Sequence, residues 1–125
     1  MNEVLYQDIF NALQEVLPNE WNKVVFYAEY DDSSYGMKYY VLHEDGTYSD
    51  CFELEDVSKS SIIETFAIID SIIMPVREKV NKDDLWSVMT IVVSNTGDFK
   101  AEYEYEDISD HSIEYFNEWK KKYLI

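Results

Sequence analysis

Residues 98 to 110 read DFKAEYEYEDISD, and six of these thirteen positions are acidic. Glu102, Glu104 and Glu106 recur at every second residue, with Phe99, Ala101, Tyr103 and Tyr105 between them. A period of two places the two sets on opposite faces of a β-strand. A row of carboxylates can take part in hydrolytic chemistry, hold a divalent cation, or meet a cationic surface. Glutamate forms strands poorly, and like charges two residues apart on one face repel each other, so local stability does not account for the row. The plain alternative is a solvated outer face, because exposed strand faces are ordinarily polar.

Catalytic groups are scarce. The two histidines, His43 and His111, fall in a hairpin and in a loop before a helix, and neither has HExxH or Cys/His metal spacing. A Cys51 and His43 dyad across the hairpin is conceivable, but no third orienting group accompanies it. Cys51 therefore reads as a small packed residue. The acidic stretch DDSSYG fails as a calcium loop, since Tyr35 stands where a ligand belongs and Leu42 occupies the twelfth position. No cofactor and no metal site are expected, beyond weak cation binding to so many carboxylates. An enzyme is not the expected class.

The elements that position these residues follow from periodicity. Val4, Leu5, Ile9, Leu13, Val16 and Leu17 have helical spacing over residues 2 to 17, closed by Pro18 and Asn19. From Trp21 the period changes to two. The acidic DDSS at 31 to 34 ends that strand, and YGMKYYVLHEDGTYSDCFEL gives two more, joined at Glu44, Asp45 and Gly46. Ile62, Phe66, Ile69, Ile73, Val76 and Val80 restore the helical period over residues 58 to 80. Ser61 and Glu64 suggest a capping box there, and Pro75 a kink or interruption near Ser71. A second hairpin turns at Asn95, Thr96 and Gly97. Ile113, Phe116, Trp119 and Tyr123 mark a last helix, with Lys120, Lys121 and Lys122 where cations favour its C-terminus.

The order α-β-β-β-α-β-β-α predicts a single α+β domain over residues 1 to 125, an antiparallel sheet of about five strands with helices covering one face. The other face would then be exposed. The strand phase lets Tyr27, Glu29 and Tyr40 share it with Glu102, Glu104 and Glu106, which makes a surface of tyrosine and carboxylate. Trp86 and Trp119 read as core residues.

Composition sets the class of partner. The chain carries 26 Asp and Glu against 10 Lys and Arg, a net charge of −16 that repels nucleic acid and anionic lipid and attracts basic surfaces. The acidic start MNEVLYQDIF lacks the basic region of a signal peptide, and no apolar run reaches the ~18 residues of a membrane span. A lone cysteine fits a reducing compartment. A cytoplasmic location is expected.

The C-terminal third carries a family pattern. Trp86, the turn SNTGDF at 94 to 99, the run YEYED at 103 to 107 and the closing WKKKYL at 119 to 124 resemble the YezG/EsaG-like immunity proteins of Gram-positive bacteria. The leading helix, the strand at Trp21 and the HEDG turn fit the same layout. The resemblance implies a cytosolic antitoxin that silences the C-terminal toxic domain, commonly a nuclease, of a toxin exported by type VII secretion. It implies a basic toxin domain as partner, met by Glu102, Glu104, Glu106, Asp107, Asp110, Tyr27, Glu29 and Tyr40, in a protein with unknown oligomeric state. An acidic secretion chaperone that masks an exported partner without inhibiting any activity is the alternative. Such a chaperone would grip a nonglobular segment through an apolar groove or strand edge.

Overall fold

The computed structural model describes residues 3 to 125; residue 2, where the first helix was expected to begin, lies outside them. Helix α1 spans Glu3–Leu13 and buries Leu5, Ile9 and Leu13, and a 3-10 turn at Gln14–Val16 ends it. Strands β1 (Lys23–Tyr30) and β2 (Tyr35–Leu42) follow, then the short β3 (Tyr48–Asp50). The expected third strand stops at Asp50 because its carboxylate accepts from the Phe52 amide at 3.0 Å while Glu53 accepts from the Asp50 amide at 2.9 Å. That reciprocal cap starts a 3-10 turn at Cys51–Glu53 in place of further strand.

Helix α2 runs unbroken through Lys59–Arg77. Its cap is Ser58, which accepts from the Ser61 amide at 3.2 Å, one turn earlier than the expected Ser61 and Glu64 pair. Pro75 lacks the amide that would reach the Ser71 carbonyl, yet it does not interrupt the helix, and Glu78 beyond it still donates to the Met74 carbonyl at 2.9 Å. Strands β4 (Val88–Ser94) and β5 (Phe99–Glu104) form the second hairpin, and α3 (Ser112–Tyr123) closes the chain. Gly97 takes φ of +95° in the turn between β4 and β5, a left-handed conformation that glycine adopts without strain.

The sheet is antiparallel with strand order β3-β2-β1-β4-β5. Its register sorts residues onto two faces, with Phe26 opposite Tyr39 and Ile91, and Tyr27 opposite Lys38 and Thr90. Helices α1 and α2 pack on the first face, enclosing Val24, Phe26, Ala28, Tyr39, Val41, Met89 and Ile91. The expected α+β class and five strands are present. Coverage of one face only is not: α3 crosses the second face, over Val25, Tyr27, Tyr40 and Val88. The reason is compositional, since β1 is apolar or aromatic on both faces through Val25 and Tyr27, and that second set needs its own cover.

Candidate functional site

Trp119 fixes α3 to the sheet. Its indole Nε1 donates to Thr90 Oγ1 at 2.9 Å, and its ring lies 4.9 Å from Tyr27, 5.2 Å from Tyr123 and 5.8 Å from Tyr40, centroid to centroid. Phe116 stacks on Trp119 at 5.6 Å and meets Tyr27 at 5.0 Å. The helix spacing of three and four places Phe116, Trp119 and Tyr123 on one stripe. Thr90 projects from the sheet between Tyr27 and Glu102, which are its register partners on either side. Tyr27 and Tyr40 therefore share the face expected of them, but they are 2% and 6% exposed. The expectation of a surface role for these two tyrosines is corrected, because α3 covers them.

The carboxylates stay at the rim. Glu102 and Glu104 are half-buried on β5 and point to the α3 side, whereas Glu106, Asp107 and Asp110 are exposed in the loop that follows. Glu106 does not extend the strand. The Glu104 carboxylate turns back to accept from the amides of Tyr105 at 3.0 Å and Glu106 at 3.3 Å, which ends the strand at Glu104. Buried Ile108 pins the loop beneath α3, and Asp107 accepts from the Ser109 amide at 2.9 Å. That bond holds the Asp107 carboxyl below its ordinary range.

Between β5 and α3 lies a cleft of 260 Å3, lined by Glu102, Glu104, Tyr115, Glu118, Lys122 and Tyr123 among others. Tyr123 Oη donates to Glu102 Oε1 at 2.6 Å, and this bond is the main reason the Glu102 carboxyl sits below its ordinary range. Lys100 adds a weaker ion pair to Glu102 at 3.7 Å. Burial, reinforced by the charges of Glu104 and Glu102, pushes the Tyr115 hydroxyl up to about 12. At neutral pH the cleft thus presents the ionised Glu102 carboxylate beside the neutral Tyr115 phenol.

Glu29 lies at the far end of the same face, half-buried, in a cleft of 220 Å3 with Asp31, Ser34, Tyr35, Asp107 and Ser109. Burial raises its carboxyl, and Asp31 adds to the rise. Burial likewise pushes the Tyr27 hydroxyl well above the usual phenol value. The Glu29 carboxylate approaches that hydroxyl, yet no hydrogen bond of standard geometry closes, so the buried Tyr27 Oη is left unsatisfied. Cys51 is fully buried and its thiol is pushed up to about 12 by desolvation, which removes it as a nucleophile at neutral pH. His43 bonds Ser49 Oγ at 2.7 Å, not Cys51. Among the described residues no group of three His, Cys, Asp or Glu is arranged to hold a metal ion, and no helix is long and apolar enough to cross a membrane.

A family model described as immunity protein YezG-like matches residues 2 to 124. The chain belongs to the YezG-like immunity protein family. It is similar to immunity protein YezG of Bacillus subtilis (strain 168), with 27% identity over 112 residues, 83% of this chain and 73% of the relative. Similarity to immunity protein YezG of Bacillus spizizenii (strain W23) is 32% over 114 residues, again 83% of this chain and 68% of the relative.

Within this immunity-protein fold, the sequence placed Glu29, Glu102 and Glu104 on one sheet face, and the structure does so too. It missed Thr90, Tyr115 and Glu118, which line the cleft. Thr90 carried a usable signal, the one polar residue in the interior of the strand VMTIVVS, which demands a buried hydrogen-bond partner.

Proposed function

We propose that this immunity protein acts in the cytoplasm as an antitoxin, neutralising the basic C-terminal nuclease domain of a toxin exported by type VII secretion. The observation that carries the reading is the acidic rim: Glu29, Glu102, Glu104, Glu106, Asp107 and Asp110 stay accessible around a helix locked down by aromatic residues. A nuclease must gather phosphates and so presents cations at its cleft, where a fixed row of carboxylates stands in for the nucleic acid backbone. Long-range attraction from a chain of net charge −16 raises association toward about 10⁸ to 10⁹ M⁻¹s⁻¹ at low salt. Tyr27 and Tyr40 serve by holding α3 in place beneath that rim.

The test is inhibition of a purified toxin nuclease domain by the parent and by the Glu104→Lys, Glu106→Lys, Asp110→Lys triple variant. Glu102 is left intact because Tyr123 depends on it. If the acids steer, association slows and its salt dependence shrinks; if they are buried against toxin cations, dissociation accelerates and each lost pair costs on the order of 2 to 5 kcal/mol. A triple variant that inhibits like the parent, with the same salt slope, removes the rim from the interface. The secretion-chaperone reading draws on a separate observation, an apolar groove of 560 Å3 on the first sheet face bordered by Phe10, Trp21 and Phe99. Tight binding that leaves nuclease activity intact would select it.

A further inference from the structure

The two edges of the sheet differ. On one side the outer strand is β3, only three residues long; on the other it is β5, with six. Ser94 donates its amide to the Asp98 carbonyl at 2.8 Å, and the register that follows pairs Val92 with Lys100 and Thr90 with Glu102. Antiparallel pairing alternates, so Lys100, Glu102 and Glu104 turn their main-chain groups toward β4 while Phe99 and Ala101 turn theirs outward. No proline or bulge blunts this edge, as many edge strands require. It also lies between two clefts. The groove on the first face is lined by Tyr6, Phe10, Trp21, Ile91, Val93 and Phe99, with Phe99 still 48% exposed and its ring 5.5 Å from Tyr6. The cleft on the second face is lined by Glu102, Glu104 and Glu118.

We infer that the outer edge of β5 accepts an extended strand of the toxin whose side chains alternate apolar and basic. Side chains of an added strand project alternately to the two faces, so every second one enters the apolar groove beside Phe99 and the others reach Glu102 and Glu104. Six residues of β5 accommodate a strand of similar length. A second copy of this chain is the poorer occupant, because it would bring a further net charge of −16 against a rim already rich in carboxylates. The inference rests on the antitoxin reading for the basic character of the partner. The mode of contact stands on the strand edge and its two clefts.

The probe is a disulfide-closed β-hairpin peptide whose outer strand alternates valine and lysine, titrated into the full chain and followed by amide resonances. Expected are shifts confined to β5 and its two clefts, and slower exchange of the Phe99 and Ala101 amides. Methylating the alternate peptide nitrogens that face β5 should weaken binding by about tenfold or more, since main-chain bonds carry strand addition. On the protein side, Ala101→Pro removes an outward N–H without breaking a bond to β4, and should abolish the shifts while the parent circular dichroism is kept. If the proline variant misfolds, the methylated peptide decides alone. Equal binding of the methylated hairpin, shifts limited to the acidic rim, or no protection of Phe99 and Ala101 at millimolar peptide would overturn the inference. Concentration-dependent dimers that Ala101→Pro dissociates would assign the edge to a second copy and also overturn it. A toxin nuclease that is inhibited while the hairpin fails sinks the strand edge alone; a hairpin that binds while no nuclease is inhibited sinks the antitoxin reading alone.

Discussion

On one side of the sheet α1 and α2 enclose Val24, Phe26, Ala28, Tyr39 and Met89, none more than 1% exposed. On the other, α3 alone covers Val25, Tyr27 and Val88, and of its own residues it buries only Trp119. The first side is an aliphatic and aromatic interior, in which the Tyr39 hydroxyl finds the Val16 carbonyl. The second is a thin aromatic layer with one buried hydrogen bond, one unsatisfied hydroxyl and a border of carboxylates. The difference separates two tasks within one sheet. Dispersion and burial on the first side supply the main support of the fold, which lets the second tolerate a border of like charge.

The comparison breaks most visibly at adjacent residues of β1. Phe26→Ala leaves a cavity in the enclosed side and should cost about 3 to 5 kcal/mol in urea unfolding, with loss of all secondary structure in one transition. A cost below about 1 kcal/mol would mean that this side is no tighter than the other.

A smaller effect is expected on the α3 side. Thr90→Val strands the Trp119 indole N–H in a buried site and should cost about 1 to 3 kcal/mol. The loss should appear as faster amide exchange within α3 while α1 and α2 keep their protection. Uniform loosening of all three helices would show that the two sides unfold as one unit.

The smallest effect is electrostatic and sharpens the comparison by sign. Tyr123 holds the Glu102 carboxyl below the usual 4.5, so its contribution to α3 docking is complete above that value and is lost as pH falls through the lowered one. Glu29 runs the other way: burial raises its carboxyl, so ionisation opposes folding and stability is gained as pH falls through the raised value. Glu102→Gln should flatten the acid limb of the Trp119 indole resonance, and Glu29→Gln should raise the urea midpoint slightly at neutral pH. Identical pH profiles for parent and Glu102→Gln would remove the Tyr123 contact as a support for α3.

Much of this was legible in the chain. Periods of 3.6 and 2 fixed the kinds and order of the elements, because a residue's face follows from its position in a helix or strand. Glu29, Glu102 and Glu104 were assigned to one sheet face for the same reason. Local chemistry also misled: Asp50 and Glu53 capped a turn where strand was expected, and Glu104 captured two amides and ended β5 before Glu106.

The sequence by itself determined the element order, the antiparallel pairing through its two glycine-bearing turns and the phase of each strand, since all of these depend on neighbours within a few residues. Only the tertiary structure decided that α3 crosses to the second face, that Tyr27 and Tyr40 lie beneath it, and that Thr90, Tyr115 and Glu118 meet around one cleft. Those outcomes depend on which of two apolar surfaces a short helix can cover. In this molecule the match of Trp119 to Thr90 and Tyr27 closes a distance of 29 residues between donor and acceptor that no local pattern encodes.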